Sequence, residues 1–190
     1  MTAAAPGPRR ILDTPRLRLR ELVAADAPFV LALLTDPDFV RHIGDRGVRD
    51  LDTAKTYNAD GPQASYATHG HGLWLAELRG TGEPAGMCGL LRRDTLDAPD
   101  LGYAWLPRFR GRGLAREAAA ATLAHARDAL GMSRVLAIVS PANEASCRLL
   151  SAVGMAARGE EDVGGEVLLV YETSGRRLGR RPTTLETRRR

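Results

Sequence analysis

Apolar and charged residues alternate strictly through Arg16-Leu17-Arg18-Leu19-Arg20, ahead of Glu21-Leu22, a pattern that predicts an opening strand with one face in water. From Asp26 the period changes. Phe29, Val30, Leu33 and Leu34 recur at helical spacing, and Asp36-Pro37 marks the stop. A further helix is expected over Leu51 to Tyr66, capped by Asp52, with Tyr57 inward and Gly61-Pro62 interrupting it. The apolar runs Leu73 to Leu78 and Ala85 to Leu91 flank the turn Arg79-Gly80-Thr81-Gly82-Glu83-Pro84, which makes them a strand pair. Leu101 to Leu106 reads as another strand.

The clearest helix follows. Ala115, Ala118, Ala119, Thr122, Leu123, Ala126 and Leu130 hold one stripe, and Gly131 supplies the stop. Arg134 to Val139 is a short strand bounded by Ser140-Pro141. Asn143 caps a helix through Leu150 that ends near Gly154, and Val167 to Tyr171 closes the series as a strand. Strands and helices in this order predict a mixed α/β sheet with helices on both faces.

A length of 190 residues fits one domain with modest tails. Residues 1–10 and 174–190 lack periodicity and are expected to be disordered, leaving 11–173 as the domain. The net charge of +4 misleads, because residues 176–190 hold seven Arg against one Glu, and Arg9 and Arg10 add two more. The span 11–175 therefore carries 18 basic and 22 acidic residues, a balance that disfavours duplex DNA. Any polyanion contact, such as weak RNA or ribosome attachment, is expected in the C-terminal tail. Cys88 and Cys147 stand 59 residues apart with no His cluster, so reduced thiols are expected and no zinc site. No apolar run approaches the roughly 20 residues that span a bilayer, and the expected location is the cytoplasm.

The chemistry concentrates in Arg110-Gly111-Arg112-Gly113-Leu114-Ala115, between a strand and the long helix. Such a turn directs backbone N–H groups and a helix N-terminus at one point, the arrangement that holds a pyrophosphate. It lacks the third glycine and the later acidic residue of a dinucleotide fingerprint, and the Gly-Lys-Ser/Thr of a triphosphate loop. Arg110, Gly113 and Ala115 instead match the R/Q-x-x-G-x-G/A pattern of the GNAT acetyltransferase superfamily.

The likeness extends to TPRLRLREL at 14–22, LLTDPDFVRHIGDRG at 33–47, GEPAGMCGLL at 82–91, DLGYAWLPRFRGRGLAREA at 100–118 and NEASCRLLSAVGM at 143–155. Together these resemble the RimJ/RimL-like branch over roughly 11–173. The resemblance implies the GNAT fold, with a mostly antiparallel twisted sheet and a splayed strand pair that holds acetyl-CoA as cosubstrate, without a metal. Pantetheine is then expected against the backbone near Trp105 and Leu106, and the pyrophosphate on Gly111, Arg112, Gly113, Leu114 and Ala115. Asn143 matches the family position that contacts the pantetheine arm, and it also fits a plain helix cap.

Many relatives carry a proton-donating Tyr seven residues after that Asn, where this chain has Leu150. A thiolate is a tolerable leaving group, with a thiol pKa of about 8.5. Ser146 is the candidate hydrogen-bond donor to it, as an alternative to a plain surface serine. The attacking amine must be neutral, which is easier for an α-amine (pKa about 7.7) than for a lysine (about 10.4). Asp100 matches an acidic position of the branch and is the candidate base, directly or through water, or else a strand-edge carboxylate. His69 and His71 lack a third ligand and read as a solvated loop; Trp74 and Trp105 read as core. The implied activity is transfer of acetyl to a primary amine, by a monomer or homodimer. Ribosomal-protein N-termini, aminoglycosides, polyamines and small metabolites all remain compatible acceptors. An acyl-CoA-binding module that has lost catalysis is the alternative that Leu150 keeps open.

Overall fold

The computed structural model describes residues 7–173; expectations for residues 1–6 and 174–190 lie outside that range. The chain begins with β1 (Arg10–Asp13) and β2 (Leu17–Arg20), followed by a 3-10 turn and the helices α1 (Ala27–Leu34), α2 (Pro37–Ile43), α3 (Leu51–Asn58) and α4 (Ala64–His69). Then come β3 (Leu73–Leu78), β4 (Pro84–Leu91), β5 (Asp100–Trp105), α5 (Leu114–Asp128), β6 (Leu136–Val139), α6 (Glu144–Ala152), β7 (Met155–Val163) and β8 (Glu166–Thr173). They form one sheet in the order β1-β2-β3-β4-β5-β6-β8-β7.

Every neighbouring pair in that sheet is antiparallel except β5 and β6. These two are parallel and meet only where Asp100 faces Leu136, beside the Leu136 N–H bond to the Pro99 carbonyl at 2.9 Å. Beyond that point they diverge toward their C-terminal ends. Strand β4 is buried on both sides: Cys88 meets Thr122 of α5 at 3.4 Å, while Met87 faces the hollow beneath Phe39 of α2 and Tyr57 of α3. Ala118, Ala119 and Thr122 are fully buried, so small side chains bring α5 close to the sheet.

Several expectations are corrected. Arg10 belongs to β1, one residue inside the segment read as a disordered tail, because backbone pairing with Arg20 recruits it to the sheet edge. Asp36 does end α1, yet it also caps α2 by accepting from the Phe39 N–H at 3.2 Å. The cap of α3 is Asp50, which accepts from the Thr53 N–H at 2.8 Å, rather than Asp52. Gly61-Pro62 does not break the helical path, because residues Ala59–Gln63 pass it as a π turn whose wider loop accommodates a proline without an N–H. Strand β7 was not anticipated. Nearly all of it is exposed, so it shows no two-face pattern and is held by backbone bonds to β8. His71 is buried rather than solvated, its Nδ1–H donating to the Leu90 carbonyl at 3.1 Å. Trp74 is core, 1% exposed. Among the described residues, no helix is long and apolar enough to cross a membrane, and no group of three or more His, Cys, Asp or Glu could hold a metal.

Candidate active site

The divergence of β5 and β6 opens a cleft of about 640 Å³ at the carboxyl ends of the two strands, where the chain turns into α5 and α6. Its walls include Asp100, Trp105, Arg110, Gly111, Gly113, Leu114, Ala115, Asn143, Ser146 and Leu150. Ten residues singled out in the sequence thus converge on one place. Leu106 and Arg112 do not line it.

The edges of the cleft carry unpaired backbone. Leu106 donates its N–H to the Ala85 carbonyl at 3.0 Å, so it faces β4. Antiparallel pairing alternates direction along a strand, which turns the N–H and C=O of Tyr103 and the N–H of Trp105 the other way, into the gap, while Arg110 takes the Trp105 carbonyl. The Thr173 N–H bond to the Val135 carbonyl sets the same alternation on β6 and turns Ile138 toward the gap from the far side. The backbone edge therefore lies at Tyr103 and Trp105 rather than at Leu106.

At the open end stands the N-terminus of α5. Gly113 has φ +74° and Gly111 φ +70°, values that favour glycine and that fold the chain into a nest of N–H groups. Among the described residues, no acceptor takes the N–H groups of residues 111–115. Arg16 braces the turn from outside, donating through Nη1 to the Arg112 carbonyl at 2.8 Å and through Nε to Glu117 at 2.6 Å. Thr14 also donates to Glu117, at 2.6 Å. Burial opposes the Glu117 charge, but the hydrogen bonds from Thr14 and from the Arg16 backbone and guanidinium outweigh it and hold this carboxyl below the ordinary range.

Arg110 does not point its charge into the cleft. Its Nε donates to the Trp105 carbonyl at 2.8 Å, Nη1 to Asp38 at 2.7 Å, and Nη2 to Asp36. It ties α2 to the phosphate-type turn, a partnership 72 to 74 residues apart that no local pattern reveals.

Asn143 accepts from the Ser146 N–H at 3.1 Å through its side-chain oxygen, so it is a true cap whose amide NH₂ stays available. Ser146 Oγ lies 2.5 Å from the Tyr103 hydroxyl. Sequence reasoning missed Tyr103; its signal was only that it sits two residues before Trp105, on the same strand face. Burial raises the Tyr103 phenol well above its usual range, so it stays protonated. Leu150 is 1% exposed and supplies an apolar wall.

Asp100 is 1% exposed and bound by Arg93 Nε at 3.0 and 3.1 Å to its two oxygens. Burial raises its pKa, and the Arg93 charge and hydrogen bond only partly offset that. By strand alternation Asp100 shares a face with Gly102 and Ala104, while Tyr103 and its partner Ser146 lie on the other. The two candidate catalytic groups line one cleft without touching.

The family described as an acetyltransferase (GNAT) domain matches residues 16–156. The uncharacterized protein YkkB of Bacillus subtilis is 31% identical over 147 residues, which is 76% of this chain and 84% of YkkB. The acetyltransferase from Agrobacterium tumefaciens superposes with a TM-score of 0.74 at 27% identity, over 92% of this chain and 97% of that one. RimL, a ribosomal-protein acetyltransferase solved with coenzyme A, shares the fold at 15% identity and a TM-score of 0.67, over 86% of this chain and 97% of its own. The matched family covers most of the strands and helices that build the cleft, and the chain belongs to the GNAT acetyltransferase family, as an acyltransferase enzyme that passes an acetyl group to an amine.

Proposed function

We propose that the protein is an acetyl-CoA-dependent N-acetyltransferase of the RimJ/RimL-like type that transfers acetyl by direct attack of a bound primary amine. The observation that carries this reading is the gap between β5 and β6, edged by unpaired backbone and ending at the bare N–H nest of residues 111–115. Those N–H groups and the positive end of α5 suit a pyrophosphate. The backbone of Tyr103 and Ile138 and the N–H of Trp105 suit the amides of a pantetheine arm, and the Asn143 NH₂ lines the same channel. Acetyl-CoA, when bound there, supplies the acetyl group as a thioester.

Each of the remaining steps falls to side chains of this chain. Ser146 donates its hydroxyl hydrogen to the departing sulfur, oriented by the Tyr103 hydroxyl at 2.5 Å. Modest help suffices, because a thiol with a pKa of about 8.5 leaves readily as its anion. As the new N–C bond forms and the C–S bond breaks, the amine must lose a proton. Asp100, held in place by Arg93 Nε, receives it directly or through water. Leu150 and Trp105 keep the sulfur side dry.

Incubating the full chain with acetyl-CoA and separate pools of peptides, amino acids, polyamines and aminoglycosides tests this reading, with free thiol and product mass as readouts. Thiol release that requires an amine and yields an N-acetyl product is the expected result. Tight acetyl-CoA binding with no transfer to any pool would leave a binding module instead.

A further inference from the structure

A second, smaller hollow of about 200 Å³ opens off the cleft beneath α2 and α3, sharing Arg93 and Tyr103 with it. It lies on the face of β5 opposite α5, across the strand from the Ser146–Tyr103 pair. At about 30 Å³ per water its volume equals roughly seven waters, which suits an amino-acid-sized group. Phe39, Ile43 and Met87 make it mostly apolar.

Its polar lining has one sign. Arg46 uses one Nη2 contact, to the Ile43 carbonyl at 3.2 Å, and no carboxylate partner is found for it among the described residues. Arg93 gives its Nε to Asp100, and its two Nη groups have no partner among the described residues. The Tyr57 hydroxyl is likewise without one. Burial keeps that phenol protonated against the pull of the two guanidiniums, so it is a donor. No acidic side chain lines the hollow. The neighbouring carboxylates are already engaged, Asp100 by Arg93 and Asp45 by Arg49. Three sets of donors with no acidic side chain among them surround a pocket the size of an amino acid, and a guanidinium fork matches a carboxylate in plane and spacing.

Resting on the acetyltransferase reading above, we infer that the hollow is the acceptor subsite and that its substrate is a small amine carrying a carboxylate on a partly apolar body, held by Arg46, Arg93 and Tyr57. Polycationic acceptors meet only like charge there. The carboxylate can come from a free amino acid or from an acidic residue beside a peptide N-terminus.

The test measures kcat/KM for acceptor pairs that differ only in carboxylate against carboxamide: leucine with leucinamide, compared per unprotonated amine, and Leu-Glu amide with Leu-Gln amide. We expect the acids to exceed the amides by about tenfold or more in at least one pair, and the favoured pair identifies the source of the carboxylate. Arg46→Glu should raise KM for the acids about tenfold while leaving acetyl-CoA affinity nearly unchanged, and Arg46→Lys should retain most of the preference. Equal use of acids and amides, a preference for spermidine or an aminoglycoside, or a preference untouched by Arg46→Glu would overturn the inference while the acetyltransferase reading stands. Failure of the wild-type chain to bind acetyl-CoA would overturn both.

Discussion

In the proposed reaction Ser146 and Asp100 act on different bonds, and their surroundings assign them different sensitivities. Ser146 needs only to present a hydrogen to sulfur, so Ser146→Ala should lower kcat by about ten- to a hundredfold, with CoA affinity nearly unchanged. Tyr103→Phe should produce a smaller loss, because it removes the orienting hydroxyl and leaves the donor. Asp100 must be ionised to take a proton, and burial moves its protonation above the ordinary carboxylate range. As pH falls through that raised value the carboxylate is lost first and turnover with it. Asp100→Asn should lower kcat/KM by about ten- to a thousandfold near neutrality, and the defect should shrink as pH rises and free amine becomes abundant. Steady-state pH profiles of the three variants check these outcomes; an Asp100→Asn defect constant with pH would remove Asp100 from proton transfer. The two candidates for this chemistry were picked as types at spacings, Ser146 three after Asn143 and Asp100 ahead of the strand, and folding brings both to one cleft. Tyr103, Arg93 and Arg16 were not, because their meaning comes from partners brought in by folding.

Elements follow the same division. The long helix α5, the β3–β4 pair and the Asn143 cap were readable, since each has a buried stripe or a cap that the local sequence alone determines. Strands β1 and β7 sit at sheet edges, where exposure removes the apolar alternation. The path from α3 to α4 was misread because Pro62 breaks an α-helix but not a π turn. A buried charge cluster joins elements in a way that carries a stability prediction. Arg20 of β2 bonds Asp26 at 2.8 and 2.9 Å and Glu77 of β3 at 2.9 Å, and all three are largely buried. Arg20→Met leaves Asp26 without its cation and Glu77 with only Arg18 at 3.6 Å, which should cost about 3 kcal/mol. In a domain of this size that lowers Tm by about 6–12 °C in a thermal melt. A loss of less than about a third of that would mean water already screens the cluster.

At the scale of the molecule, one topological event makes the site: a single parallel pairing in an otherwise antiparallel sheet, after which two strands part and two helices begin. The account rests on that gap and the glycine turn at its mouth holding CoA. Gly113 and Gly131 flank α5 at opposite ends, with φ +74° and +66°. Valine at either position strains the backbone by a similar amount, about 1–2 kcal/mol. Only at Gly113 does the added side chain stand at the proposed phosphate site, beside Arg16 at 3.4 Å. Calorimetric titration of CoA into the wild-type, Gly113→Val and Gly131→Val proteins separates strain from site. The account predicts that affinity falls by about a hundredfold or more in Gly113→Val and stays within about threefold of wild type in Gly131→Val. Wild-type affinity in a folded Gly113→Val protein would contradict it.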